Sequence, residues 1–175
     1  YYRVAESEAE GLSFQSVLDC AVALSTPTIR VWAGKKGSAD ADEGYRAKVV
    51  EDSLRIADMA KTAGVTVAYE YHGGTLTDEQ NSAAQLMDEA DHPNLLTYWQ
   101  PPCRQSVEER MAGLELIFPK LSNIHVFHWI PSEEWVERRP LAEGEDEWMV
   151  YFKKIATAPG DRYAMVEFVK DETPE

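Results

Sequence analysis

The chain has 175 residues, with 17 Lys+Arg against 31 Asp+Glu and a formal charge of −14. At 44% apolar and 27% charged residues it has the mixture of a folded globular protein, with too much apolar side chain for a disordered acidic tail. A surface this acidic repels phosphate backbones and anionic lipids over a Debye length, which argues against nucleic-acid or membrane-surface binding and for a small-molecule partner.

In chain order, short β-branched or aromatic runs alternate with longer helical stretches, the pattern of a parallel α/β sheet. The expected strands are residues 1–4, 28–33, 65–71, 95–99, 124–129 and 163–169; the expected helices are 13–24, 42–63, 78–90, 106–116 and 145–156. The first helix opens on the capping sequence Ser13-Phe-Gln-Ser. In the second, Val49, Val50, Ser53, Leu54, Ile56, Ala57 and Ala60 form one stripe at 3.6-residue spacing, and Gly64 supplies a stop before the strand Val65-Thr-Val-Ala-Tyr69. The fourth opens on Ser106-Val-Glu-Glu109, a capping box. No linker or internal repeat divides the chain, so residues 1–175 read as one domain.

Cys20 and Cys103 are far apart and form no CxxC pair, which points to neither a disulfide framework nor a zinc knuckle and makes a reducing, cytoplasmic setting the expectation. No window approaches the roughly 18 consecutive apolar residues of a membrane span, and no signal-peptide pattern is seen. The first residues, Tyr-Tyr-Arg-Val, read as the middle of a strand, so an N-terminally truncated fragment is expected.

Six strands and five helices fit either an open doubly wound sheet or most of a (β/α)8 TIM barrel. No GxGxxG or GxxxxGK[ST] follows any strand, so the phosphate-cradling loops of dinucleotide and P-loop folds are absent. Polar and aromatic side chains instead gather at the C-terminal ends of successive strands: Arg30, Trp32 and Lys35; Glu70 and His72; Gln100; His125 and His128; Glu167. In a barrel these ends converge on one mouth, where barrel enzymes keep their active sites, and the barrel is therefore the expected fold.

Three segments, Val67-Ala-Tyr-Glu70-Tyr-His72-Gly-Gly, Asn123-Ile-His125-Val-Phe-His128 and Met165-Val-Glu167-Phe, resemble the last strands of the sugar phosphate isomerase/epimerase family, which has the xylose isomerase-like barrel. The resemblance runs over nearly the whole chain, from the third strand of that barrel to its eighth. A typical barrel has about 250 residues, so it implies that the first two βα units and the closing helix are missing. It also implies a divalent metal (Mn, Mg, Co or Zn) held by Glu70, Gln100, His125 and Glu167, with Gln100 in place of the family's Asp. That replacement keeps an oxygen donor but removes a negative charge, which lowers affinity. Cys103 replaces the family's accompanying His and is a soft bystander. His128 adds an imidazole able to ligate, carry a proton or donate to an oxyanion.

The implied chemistry is proton transfer α to a carbonyl on a small-molecule sugar or sugar phosphate, that is, isomerisation or epimerisation. Glu70, Glu167 and His128 are the catalytic candidates, and His72, Arg30, Trp32, Lys35, Trp99 and Trp129 the substrate-binding ones. Each has a plainer alternative. Glu70 and Glu167 lie among apolar neighbours, where a structural carboxylate needs a buried cationic partner. His125 and His128 differ by three, so strand alternation sends them to opposite faces and at most one points straight into a barrel. His92 reads as a loop residue, and Trp99 and Trp129 as core or rim packing. A non-catalytic sugar-binding barrel remains as an alternative. So does an abasic-site endonuclease, against which the negative charge and the four His weigh. A piece lacking two strands would leave apolar faces uncovered, so a homo-oligomer is also expected.

Overall fold

The computed structural model describes residues 1–133 and 135–170. In chain order its elements are β1 (Tyr2–Arg3), α1 (Phe14–Ala23), β2 (Thr28–Trp32), α2 (Glu43–Thr62), β3 (Thr66–Tyr69), α3 (Gln80–Glu89), β4 (Leu95–Trp99), α4 (Val107–Ile117), β5 (Leu121–Val126), β6 (Trp129–Pro131), β7 (Val136–Arg138), α5 (Glu145–Ile155) and β8 (Ala164–Val166). Six strands make a sheet in the order β1-β2-β3-β4-β5-β8, with parallel registers such as Tyr2↔Val31, Ile29↔Val67, Val67↔Leu95 and His125↔Met165. This is the α/β pattern of six strands and five helices expected above. Among the described residues no helix is long and apolar enough to cross a membrane.

The chain packs as two compact units, one of Tyr1–Tyr98 with Lys120–Ser122, the other of Trp99–Pro119 and the described residues from Asn123 onward. In the first, β3 is buried along nearly its whole length, as a parallel strand covered on both faces must be. The α2 stripe turns Val49, Ser53, Ile56, Ala57 and Ala60 into the core, while Val50 and Leu54 flank it half-buried. Burial of each large apolar side chain contributes about 1.5–3 kcal/mol. Ser53 is tolerated there because its hydroxyl donates to the Val49 carbonyl (2.6 Å) and accepts from the Tyr69 phenol.

The terminus of α2 is the stop read from the sequence. Gly64 takes φ +72°, the Val65 N–H reaches the Ala60 carbonyl (3.0 Å) and the Gly64 N–H the Lys61 carbonyl (3.1 Å), a Schellman closure. In the second unit Trp99, Trp148 and Tyr151 meet edge-on, with ring centroids 5.2–6.4 Å apart, and form the aromatic centre of the core. The Ser106 capping box opens α4: the Glu109 N–H donates to Ser106 Oγ (3.2 Å) and the Ser106 N–H to Glu109 Oε2 (2.7 Å).

Three expected elements shift and one hairpin is new; the strand expected at 124–129 is β5, Leu121–Val126, three residues earlier. Helix α3 begins at Gln80 instead of 78, because Asp78 accepts the Ser38 N–H and Glu79 caps the helix through Asn81 and Ser82. Strand β8 ends at Val166, well short of 169, where Phe168 adopts φ +45°. The antiparallel hairpin β6–β7, with Trp129 opposite Arg138, has three-residue strands too short to leave a periodic signal.

Candidate active site

In the first unit, Glu70 directly follows β3. Its N–H donates to the Val31 carbonyl (3.0 Å), so the sheet ladder fixes where the side chain departs. The residue is 4% exposed. Oε1 accepts from Arg30 Nη1 at 3.0 Å and Oε2 from the Trp32 indole N–H. Arg30 and Trp32 are two apart in β2 and so share a face. The cationic partner that a buried carboxylate requires is therefore present, and Arg30 is engaged with Glu70 itself, not held out toward a phosphate.

The Trp32 ring stacks on Tyr1 (4.7 Å) and on His72 (3.9 Å). His72 is exposed, and its Nδ1 lies 2.7 Å from the Gly73 carbonyl. A carbonyl only accepts, so Nδ1 carries a proton and Nε2 holds the lone pair of the neutral ring. Lys35, expected to bind substrate, instead pairs with Glu6 (2.8 Å) and Glu10 (3.3 Å). His92 donates from Nε2 to Asp58 (3.1 Å) and accepts the Asn94 N–H at Nδ1 (3.0 Å), a structural loop histidine.

In the second unit three polar side chains meet. His125, the fifth residue of β5, is 3% exposed. Its Nδ1 is 2.9 Å from Gln100 Oε1, just past β4, and 3.3 Å from Glu167 Oε2, just past β8. The Glu167 N–H donates to the Val126 carbonyl (3.0 Å), which continues the β5–β8 ladder and sets that carboxylate beside the imidazole. One nitrogen and two oxygens thus converge from three strand ends.

Strand alternation does not decide the histidine pair, because β5 ends at Val126 and His128 lies beyond it. The His128 ring lies against Gly144, where an added Cβ would be 2.5 Å from Nδ1. It lines a cavity of about 440 Å³ with Cys103, Arg104, Arg110, Trp129 and Glu147. Burial pushes the Cys103 thiol up, away from the thiolate that a soft metal would want. Trp99 is corrected from a sugar-facing wall to core, since its ring is fully buried against Trp148 and Tyr151. Trp129 stacks on Phe127 (3.9 Å) and donates to the Phe168 carbonyl (3.3 Å), while Trp135 of the unforeseen hairpin is 61% exposed.

Sequence reasoning missed Arg110. It shares the buried face of α4 with Gly113, Leu114 and Ile117, and a charge on an apolar stripe was the available signal.

A family model described as xylose isomerase-like TIM barrel matches residues 5–175. A curated 3-dehydroshikimate dehydratase of Bacillus anthracis is 40% identical over 72 residues, 41% of this chain and 26% of the relative. The solved structure of a probable 3-dehydroshikimate dehydratase from the same organism superposes with TM-score 0.75 at 23% identity, covering 91% of this chain and 63% of that one. A xylose isomerase-like barrel protein of Mycobacterium smegmatis, solved in complex with magnesium, gives TM-score 0.72 at 12% identity over 91% of this chain and 60% of that one. The chain thus spans less than two thirds of the length of these proteins, and the two structural likenesses speak to fold alone. With the family match over nearly its full length, the chain belongs to the xylose isomerase-like TIM barrel family.

Proposed function

We propose that this chain carries the metal-binding and proton-transfer residues of a cytoplasmic enzyme that enolises a hydroxylated carbonyl compound, a sugar or sugar phosphate, and so isomerises or epimerises it. The observation that carries the reading is the buried His125 imidazole between the Gln100 amide oxygen and the Glu167 carboxylate. These three are the proposed cation ligands of the second unit, and the family resemblance of residues 67–74 alone proposes Glu70 as a fourth. The donor set fits a borderline or hard dication: one imidazole nitrogen, one amide oxygen and two carboxylates whose charges match the ion's. Ligation through Nδ1 would require the His125 ring to carry its proton on Nε2.

When bound, such a cation polarises a carbonyl and its neighbouring hydroxyl oxygen. The residues of the chain do the remainder. Glu70 and Glu167 share ligation and proton transfer: one carboxylate removes the proton from the carbon beside the carbonyl. That proton returns to the adjacent carbon in an aldose–ketose exchange; in an epimerisation the other carboxyl, protonated, delivers its own proton to the opposite face.

A second reading is favoured by the 72-residue match to the dehydratase. It begins with the same proton abstraction but expels a β-hydroxyl as water instead of returning the proton. The test is to add Mn²⁺ or Mg²⁺ and record the melting temperature of the wild type, Glu70→Gln and His125→Ala. The wild type should rise and both variants should not. No rise with any dication contradicts the metal reading. Incubation with ketoses, ketose phosphates and 3-dehydroshikimate, followed by proton NMR, then separates isomerisation from loss of water.

A further inference from the structure

Arg110 is 9% exposed, and two of its bonds grip the backbone just after Gln100. Its Nε donates to the Pro102 carbonyl (2.9 Å) and Nη2 to the Cys103 carbonyl (3.2 Å), the second and third residues after Gln100. Nη1 donates to Glu147 (2.6 Å) and to the Tyr151 hydroxyl (3.2 Å). The Tyr151 ring packs edge-on at 5.2 Å against Trp99, the residue before Gln100. The segment on either side of Gln100 is thereby tied to one guanidinium. On the side toward Trp99 the tie is an aromatic contact, and on the side toward Cys103 it is a pair of hydrogen bonds.

Pro101 and Pro102 give this arrangement its value. Neither has an N–H, so the backbone leaving β4 offers the sheet no donor at these two positions. A planar guanidinium with donors on two edges can hold two successive carbonyls and still pair with a carboxylate, which an ammonium cannot do with the same geometry.

We propose that Arg110 is a positioning residue: by fixing the Pro102–Cys103 backbone it holds the Gln100 amide oxygen at His125, and so presets two of the donors proposed above for the metal. The inference rests on that reading of Gln100 and His125. It makes the charge of Arg110 insufficient and its shape essential. Arg110→Lys keeps the positive charge and the pairing with Glu147 but loses the two-carbonyl grip. Glu147→Gln keeps the grip and removes only the partner's charge.

The test is carried out on the full-length enzyme with four variants: Arg110→Lys, Arg110→Met, Glu147→Gln and Gln100→Ala. Mn²⁺ affinity is measured by titration calorimetry, and the His125 ring nitrogens are observed by ¹⁵N NMR in metal-free protein. Arg110→Lys should weaken Mn²⁺ binding by about tenfold or more, as loss of a group that orients a ligand typically does, and Gln100→Ala, which removes the ligand itself, should weaken it at least as much. Both should change the His125 Nδ1 signal, which in the wild type reports a proton donated to Gln100. Glu147→Gln should leave both readouts near wild type.

If Gln100→Ala weakens binding but Arg110→Lys and Arg110→Met leave affinity and the His125 signal unchanged, the positioning role is refuted while the ligand reading stands. If Gln100→Ala itself changes nothing, the ligand reading fails. Should Arg110→Met fail to fold, Arg110→Lys alone decides, because its cooperative melting can be checked before the titration.

Discussion

Replacing Arg30 by Met removes the cation beside Glu70 while preserving most of the side-chain volume. The Glu70 side chain is 5% exposed and that of Arg30 28%, so the pair is buried on the carboxylate side and partly wet on the other. Breaking a fully buried pair costs about 3–5 kcal/mol; water reaching the vacated position and the surviving Trp32 bond reduce this to about 2 kcal/mol here. For a chain of this size that is about 4–8 °C of melting temperature. Urea titrations of Arg30→Met, Glu70→Gln and the double variant give a thermodynamic cycle. The double variant should be more stable than Arg30→Met by about 1 kcal/mol or more, because the neutral amide no longer needs a cation. Saturating Mn²⁺ should narrow the gap between Arg30→Met and wild type, since the dication takes over the missing charge. An Arg30→Met variant within about 0.5 kcal/mol of wild type, or a double variant no better than the single one, would refute the claim that Glu70 is a buried charge held in place by Arg30.

Two further expectations concern the scaffold. Ser106→Ala removes the oxygen that accepts the Glu109 N–H and should cost about 1 kcal/mol in chemical denaturation, while Ser106→Asp should recover most of it. Burial raises the Tyr2 phenol from 10.0 to about 12 and pushes Tyr69 and Tyr71 upward as well. Between these values the unfolded chain has released the Tyr2 proton while the folded chain keeps it, so stability is whole below pH 10 and falls as pH rises toward 12. A melting temperature that stays flat from pH 9.5 to 11.5, with Tyr2→Phe behaving identically to wild type, would contradict this.

Much of the scaffold was legible in the sequence because the signals were local. The 3.6-residue stripe of α2, the glycine that stops it and the Ser106–Glu109 box each depend on residues within a turn or two of each other, and each formed as expected. The positions of Glu70, His125 and Glu167 at strand ends were also legible, since an ionisable residue amid apolar strand residues stands out whatever the partners. What the sequence did not reveal was who those partners are. Arg30 is 40 residues from Glu70, Gln100 is 25 from His125, and only the parallel register brings them together. The same is true of Trp99, whose place in the core depends on rings 49 and 52 residues further along. The β6–β7 hairpin failed for a different reason: strands of three residues carry too few alternations to be told from a loop.

The central claim is that these residues move a proton beside a carbonyl with the help of a dication, and solvent deuterium tests it most directly. The enzyme, loaded with Mn²⁺ in D₂O and given ketoses, ketose phosphates and 3-dehydroshikimate in turn, should place deuterium on the α carbon of recovered substrate or product. Glu167→Gln and metal-stripped enzyme should not. Absence of deuterium from every compound that the enzyme binds, or incorporation that continues undiminished in Glu167→Gln, would contradict the account.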